Sequence, residues 1–518
     1  MILPGRQLHR ILILCIFVIP LTTLLTNCKK RSQTPPDTVV IGIPAAPPTL
    51  DPRLARDSIG SNVRSLIFTS LVRVTTETPT SPITIQGDLA ESWTYKNLVY
   101  HFNLRSGVTF SDGAPLTAED IEFSFAEFQK DSCIFSPAFK KIKKVVAVYD
   151  GVNHSVDITV DRFESTFYLD LAIVQMLPKK IVQAHDKDFY EHIVGSGAFE
   201  LVTANDNELL LKARANHYRA PKIAKLQLKV IRDDNTRFQK LYKGSVDLVQ
   251  TDIPLSKMAV FKSSPRFNVY DMPGANVTYM LLNLRDPLLK NKDVRAAINY
   301  ALDRAEIIKY KLEGYATPAS TFVIPSTPYY DASIQLPSTD VQKGIELLKN
   351  LPKPLELELK TSNQKMAIEN GRILAHQIEK LGISVRMKSF EWGTYYEDIS
   401  KGNFQLATMR FVGIWDPDQY RLAFHSEQVP PKGANRAFYI NPQLDKLLEQ
   451  GQQLENLDQR VQLYKQIQKI VIEDMPVLPL WYDQYVAVVN KRIKKFVPSP
   501  LGGFQFVFSI EKESEKNE

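Results

Sequence analysis

Segments with the two-residue period of strands alternate with segments spaced like helices along most of this chain, and that alternation excludes many architectures. Strand-like runs at Thr38–Ile43, Ile223–Val230, Val246–Gln250, Leu355–Lys360, Ile383–Met387 and Val486–Val489 are interleaved with helical patterns at Val341–Leu351, Lys365–Leu381 and Leu457–Ile472. Amphipathic helices bury their apolar stripe against a sheet face, so this order predicts α/β lobes whose sheets are covered by helices. No self-similarity at roughly 20–50 residues is visible, which argues against a solenoid or propeller. At 518 residues the chain exceeds one ordinary hydrophobic core, so several domains are expected, with room for a cleft between them. Apolar residues at 44% and charged residues at 23% are the balance of a packed body rather than a disordered one.

The N-terminus departs from that body. Arg6, His9 and Arg10 precede an apolar run from Ile11 to Leu25, broken only by Pro20, Thr22 and Thr23. The run is shorter than the roughly 20 residues a membrane-spanning helix needs, and a positive flank before it reads as a secretion signal. It ends in Leu25-Thr26-Asn27-Cys28, which resembles a bacterial lipobox, with Asn27 where the pattern has a small residue. Residues 1–27 are then a lipoprotein signal and 28–37 a tether anchored to the membrane by lipid on Cys28, with Lys29, Lys30 and Arg31 placed against anionic headgroups. Export removes Cys15 and lipidation uses Cys28, leaving Cys133 as a small packed hydrophobe with no disulfide partner. The net charge of +7 loses Arg6 and Arg10 with the signal, and no basic run interleaved with aromatics exists outside the tether. Nucleic acid is not the expected partner.

The stretch from Gly87 to Phe125 carries the most information. Leu98–Leu104 reads as a strand, Ser111-Asp112-Gly113 as a hairpin turn, and Thr117-Ala118-Glu119-Asp120 as a capped helix start with acids at the positive end of the dipole. Asp57–Val72, with Ile59, Val63, Ile67 and Leu71 at spacing four, reads as a helix. Taken together, Leu89-Ala90-Glu91-Ser92-Trp93, Phe102 to Gly113 and Pro115 to Ile121 resemble the signature of the peptide and nickel type of bacterial extracellular solute-binding proteins, family 5. The resemblance continues through Gly195–Val202, the strand Val277–Asn283, Val294–Arg304, Asn441–Leu448 and Pro476–Tyr482, covering residues 38 to about 505.

That resemblance implies a two-lobed periplasmic-binding-protein type II fold of α/β class, with three domains and a hinge. Its first domain is expected from 38–72, 196–272 and 487–518, its second from 73–195, and its third from 273–486 as the opposite lobe. It also implies an extracytoplasmic, periplasmic binding protein acting as a monomer, which captures oligopeptides by hinge closure and delivers them to the membrane subunits of an ABC permease. Glutathione or another anionic peptide, a murein peptide, a nickel chelate and haem are the alternative ligands within the family. An exported peptidase is the alternative outside it.

Motifs that would carry catalysis are missing. There is no Gly-x-Ser-x-Gly, no His-Glu-x-x-His, no Walker-type loop and no Cys pair at metal spacing, so neither enzyme activity nor a cofactor is expected. His185 and His192, seven apart among acids, could share a helix face and hold a metal, and a solvated surface helix is the competing reading. Candidate ligand-binding residues follow from the resemblance. Trp392 matches a tryptophan lining the family's cavity, or is a core anchor. In the segment Arg410, Phe411, Val412, Gly413, Ile414, Trp415, Asp416, Pro417, peptide-binding relatives place an aspartate for the ligand's α-amino group, and here that position holds Gly413. Arg410 is a cation suited to a carboxylate, or it pairs with an acid of the protein; Asp416 or Asp418 is the substitute amine partner under a shifted alignment. Tyr279 lies where the family approaches peptide backbone, or is a core aromatic.

Overall fold

Thr38–Ile43 is buried at every position and sits inside the largest sheet of a computed structural model that describes residues 34–54, 57–76, 84–150, 152–251, 253–413, 416–499 and 502–513. The signal, Cys28 and Trp415 fall outside the described residues. A strand with no exposed face must be covered on both sides, as parallel strands in α/β proteins are. Thr38–Ile43 pairs in parallel with Lys225–Val230 and with Leu248–Gln250.

The large sheet runs in the order Ile383–Phe390, Leu355–Ser362, Leu406–Phe411, Phe267–Leu282, Val477–Asn490, Leu248–Gln250, Thr38–Ile43, Lys225–Val230, Glu208–Ala213, Phe199–Ala204, with Ala316–Pro318 paired to Val477–Asn490. Its middle is a pair of long antiparallel strands, Phe267–Leu282 and Val477–Asn490, that belong to both halves of the molecule. Their register shifts between Pro273 and Val277. A bulge twists and bends a strand, so the sheet turns from one lobe into the other at this point. Gly274 permits the close crossing, because a Cβ there would stand 2.8 Å from the Asp483 carbonyl oxygen.

Away from the large sheet, Ala90–Lys96, Val99–Leu104, His154–Val160 and Ile142–Tyr149 form a four-stranded antiparallel sheet in that order. The helix Ala118–Gln129 packs beside it. Its start carries the expected cap: Asp120 N–H donates to Thr117 Oγ1 at 3.2 Å and Thr117 N–H donates to Asp120 Oδ2 at 2.9 Å. Ile121, Phe125 and Phe128, at spacings of four and three, form its buried stripe.

Three sequence readings are corrected in extent. The helix beginning at Ser58 stops at Ile67 rather than Val72, since Phe68 is extended and Val72–Thr75 pairs as a strand with Thr84–Gly87. Leu71 is still buried, but as part of a loop. The segment Val294–Arg304, which resembles a single mid-chain helix of the family, is split here, the first helix ending at Ala301 and a second starting at Arg304 with Asp303 as its cap. The helix leading to His185 ends at Ala184, so His185 and His192 do not share a helix face.

One buried charge cluster binds distant segments together. Asp247, with its side chain at 0% exposure, accepts from Val40 N–H at 2.7 Å and Thr34 Oγ1 at 2.9 Å, and pairs with Arg492 and with Lys512 Nζ at 3.1 Å. A buried carboxylate in this position is sustained only by that full set of partners.

Candidate functional site

Where the large sheet bends, the two lobes enclose a cavity of about 1920 Å³. That exceeds the roughly 300–1,000 Å³ of small-molecule pockets and leaves room for an extended ligand. The first half of the chain contributes Arg73, Asp88, Lys141, Asp170 and Arg219 to its wall; the second half contributes Trp392, Arg410, Gly413, Asp416 and Asp483. Contact across the mouth is direct, with Ser165 N–H donating to the Gln452 carbonyl at 2.8 Å.

Strand parity sorts the residues singled out from the sequence. Thr278 and Arg410 are register partners on Phe267–Leu282 and Leu406–Phe411, and both line the cavity. Side chains alternate across a sheet, so their neighbours Tyr279 and Phe411 point the other way. Tyr279 is 2% exposed and packs on Phe322 and Phe411 with ring centroids 5.2 and 5.7 Å away, in the core beneath the wall. Neither Tyr279 nor Phe411 lines the cavity. Trp392, by contrast, is 51% exposed on the cavity wall, at the first turn of a helix capped by Glu391. The core-anchor reading of Trp392 therefore fails.

Gly413 adopts φ 72°, a conformation that suits glycine, and its N–H donates to Asn276 Oδ1 at 3.1 Å. Arg410 Nε lies 2.9 Å from Asp483 Oδ2, so its charge is countered by an acid of the protein, while the side chain stays 52% exposed. Asp483 is held by Trp481 Nε1 at 3.0 Å and Thr278 Oγ1 at 3.3 Å, and burial raises its carboxyl above the ordinary range despite Arg410. Asp416 accepts both arms of Arg460 at 3.1 and 3.2 Å, and Asp418 pairs with Arg421 Nε at 3.2 Å. Both candidate amine partners thus already have arginines.

Several wall residues were not singled out from the sequence. Arg73 donates to neutral acceptors, Gln86 Oε1 at 2.7 Å and the Gly87 carbonyl at 3.3 Å, and forms no ion pair among the described residues. Burial and the neighbouring Arg219 lower its pKa. Arg219 itself pairs with Asp88 at 2.9 Å and lies over the Phe508 ring at 4.0 Å. On the same wall Asp170 is 2.9 Å from Lys141 Nζ, yet burial pushes its carboxyl up to about 6, with Glu164 and Asp418 adding to the rise. Asp418 is raised by burial as well. No sequence pattern marks Arg73, Arg219 or Asp170 as site residues, because separate segments bring them together.

Residues 84–429 match the model of the bacterial extracellular solute-binding proteins, family 5, middle region. The chain belongs to this family. It is 28% identical over 503 residues, 94% of its own length and 96% of the relative's, to "Probable D,D-dipeptide-binding periplasmic protein DdpA" of Escherichia coli strain K12. Glutathione-binding protein GsiB of Shigella dysenteriae is 26% identical over 521 residues, covering 97% of this chain and 99% of that one. Among solved structures, NikZ from Campylobacter jejuni in complex with Ni(L-His) superposes with a TM-score of 0.80 at 25% identity, over 92% of this chain and all of that one. The two-lobed periplasmic-binding-protein fold of the family is accordingly the fold of this chain, and the relatives named are binding proteins rather than enzymes. Among the described residues no helix is long and apolar enough to cross a membrane.

Proposed function

We propose that this protein captures an oligopeptide or peptide-like solute between its lobes and hands it to the permease of an ABC importer, held at the membrane by lipid on Cys28. The observation that carries this reading is the large interlobe cavity, walled by fixed charges of both signs in a member of family 5. The ligands named for DdpA, GsiB and NikZ are a D,D-dipeptide, glutathione and a nickel–histidine complex, which share amino-acid chemistry. Arg410 suits a ligand carboxylate: Asp483 holds its Nε, and the half-exposed guanidinium keeps further donors for a bidentate contact. Arg73, without a carboxylate of its own among the described residues, is a second anion anchor. Trp392 contributes an apolar face to a ligand side chain.

The domain division we adopt is 38–72, 196–272 and 487–518 as one discontinuous domain, 73–195 as a second and 273–486 as the third. The Asp247 cluster supports the first, since its partners come from the N-terminal strand and from beyond residue 490. The bulge at Pro273–Val277 supports a hinge at the boundary of the third.

Native mass spectrometry of the protein purified without denaturation tests the proposal. A co-purifying peptide or peptide-like mass, displaced by added peptides that also raise the melting temperature, is expected. Cleavage of a peptide library by the purified protein would replace the receptor reading with a peptidase. A bound zwitterionic peptide whose amine contacts Asp416 would overturn the Arg410 assignment.

A further inference from the structure

On an unbroken helix, His185 and His192 would be separated by about 10 Å along the axis, too far to share an ion. The fold brings them together by ending the helix. After Ala184 the chain turns, with Asp188 N–H donating to the His185 carbonyl at 3.2 Å and His192 N–H donating to the Phe189 carbonyl at 2.9 Å. The two imidazole rings then lie 3.7 Å apart between centroids, inclined by 31°.

Asp188 completes the group. Its Oδ1 is 3.6 Å from His185 Nδ1 and its Oδ2 is 3.5 Å from His192 Nε2. These separations are too long for good hydrogen bonds. Each is close to the roughly 3.3–3.6 Å edge of a tetrahedron of ligands around a metal with bonds of about 2.0–2.2 Å, and because they run to different carboxylate oxygens, a small turn of Asp188 would bring one oxygen toward both rings. One ligand atom from each of the three residues lies within 4.8 Å of the others, and among the described residues no other such group of three occurs.

The turn that carries them is fixed from below. Phe189 is fully buried, and Arg53, itself clamped by Asp51 and Glu127, donates to Asp186 Oδ1 at 2.6 Å and to the Asp186 carbonyl at 3.3 Å. A preorganised ligand set of this kind loses little freedom on binding an ion. The three side chains are 36 to 49% exposed, which leaves a fourth position open to water.

We propose that His185, Asp188 and His192 bind one divalent transition cation of the class that prefers imidazole with carboxylate, namely zinc, nickel or copper(II). None of the three lines the interlobe cavity, so the site is separate from the solute cleft. The ion would cross-link the end of the helix Lys179–Ala184 to the turn that follows.

The test uses the full, untagged chain in detergent, stripped of metal by chelation and titrated calorimetrically with zinc and, separately, with nickel. One equivalent of saturable binding is expected, with X-ray absorption reporting two imidazole ligands. Because even partners outside the ligand set are worth about 10–100-fold in affinity, His185→Ala and His192→Ala should each lose about 100-fold or more, and Asp188→Asn about tenfold or more. Without metal, all three variants should melt at the wild-type temperature, which separates loss of a ligand from loss of the fold. Absence of saturable binding, or one equivalent retained by the His185→Ala/His192→Ala double variant, overturns the proposal.

Discussion

Arg410 is a residue whose meaning changed with its surroundings. In the sequence it is a cation next to a missing aspartate; in the fold Asp483 holds one edge of it and the rest stays half exposed. A charge-assisted contact contributes roughly 1.5–3 kcal/mol, so Arg410→Ala should weaken an anionic ligand by about tenfold to a hundredfold in calorimetry. Asp247 is the opposite case, a residue that serves the fold alone. Asp247→Ala strands Arg492 and Lys512 in the interior and should cost about 3–5 kcal/mol in denaturant unfolding. Gly413 was conspicuous in the sequence as a lost anion, and its φ of 72° supplies a backbone reason for glycine that no sequence pattern announced.

Among the elements, the helix Ser58–Ile67 and the segment Gly195-Ser196-Gly197 show how close packing dictates residue choice. Gly197 N–H donates to the Ile67 carbonyl at 2.7 Å, and a Cβ on Gly197 would stand 2.4 Å from the Leu66 carbonyl oxygen. Gly197→Ala should therefore destabilise by about 1–3 kcal/mol, read as a lowered melting temperature, because carbonyl oxygens at a helix end cannot move aside as a side chain can. The capping box at Thr117 was readable in advance because caps are local, whereas the end of the first helix at Ile67 was not. Apolar spacing continued to Leu71, and only pairing of Val72–Thr75 with Thr84–Gly87 decides that the chain leaves the helix earlier.

For the whole molecule, the telling arrangement is acid facing acid across the lobes. Burial, with Glu164 and Asp418 nearby, raises Asp170 to about 6 even though Lys141 opposes the rise, and Asp418 is raised too. A carboxyl whose folded pKa lies above its unfolded value favours the folded form fully below the unfolded value, and that contribution is lost as pH rises through the folded one. Asp170→Asn removes the titration. The melting temperature of the variant minus that of the wild type should therefore be flat above about pH 7 and fall as pH is lowered below about 6, continuing toward about 4; a difference constant over that range would contradict the assignment. Small-angle scattering should also show a smaller radius of gyration when the co-purified ligand is restored to stripped protein, as closure about a hinge requires.

Local rules let the sequence determine the α/β class and the order of strands and helices, since periodicity, caps and turn residues act over a few neighbours, while the long ordered stretches from Leu89 to Ile121 carried the resemblance to the family. Resemblance to the family marked Trp392, Arg410 and Gly413 as cavity candidates. Tertiary structure decided the rest. Parity on two paired strands placed Thr278 and Arg410 on the cavity and sent Tyr279 and Phe411 into the core, a one-residue difference that depends on register. Arg73 and Asp170 come from distant segments that pack together within one lobe, Asp483 comes from the other, and the histidine pair came together only because its helix stopped. Long-range contacts set burial, and burial with ion pairing decides which charges are already satisfied and which remain for a ligand.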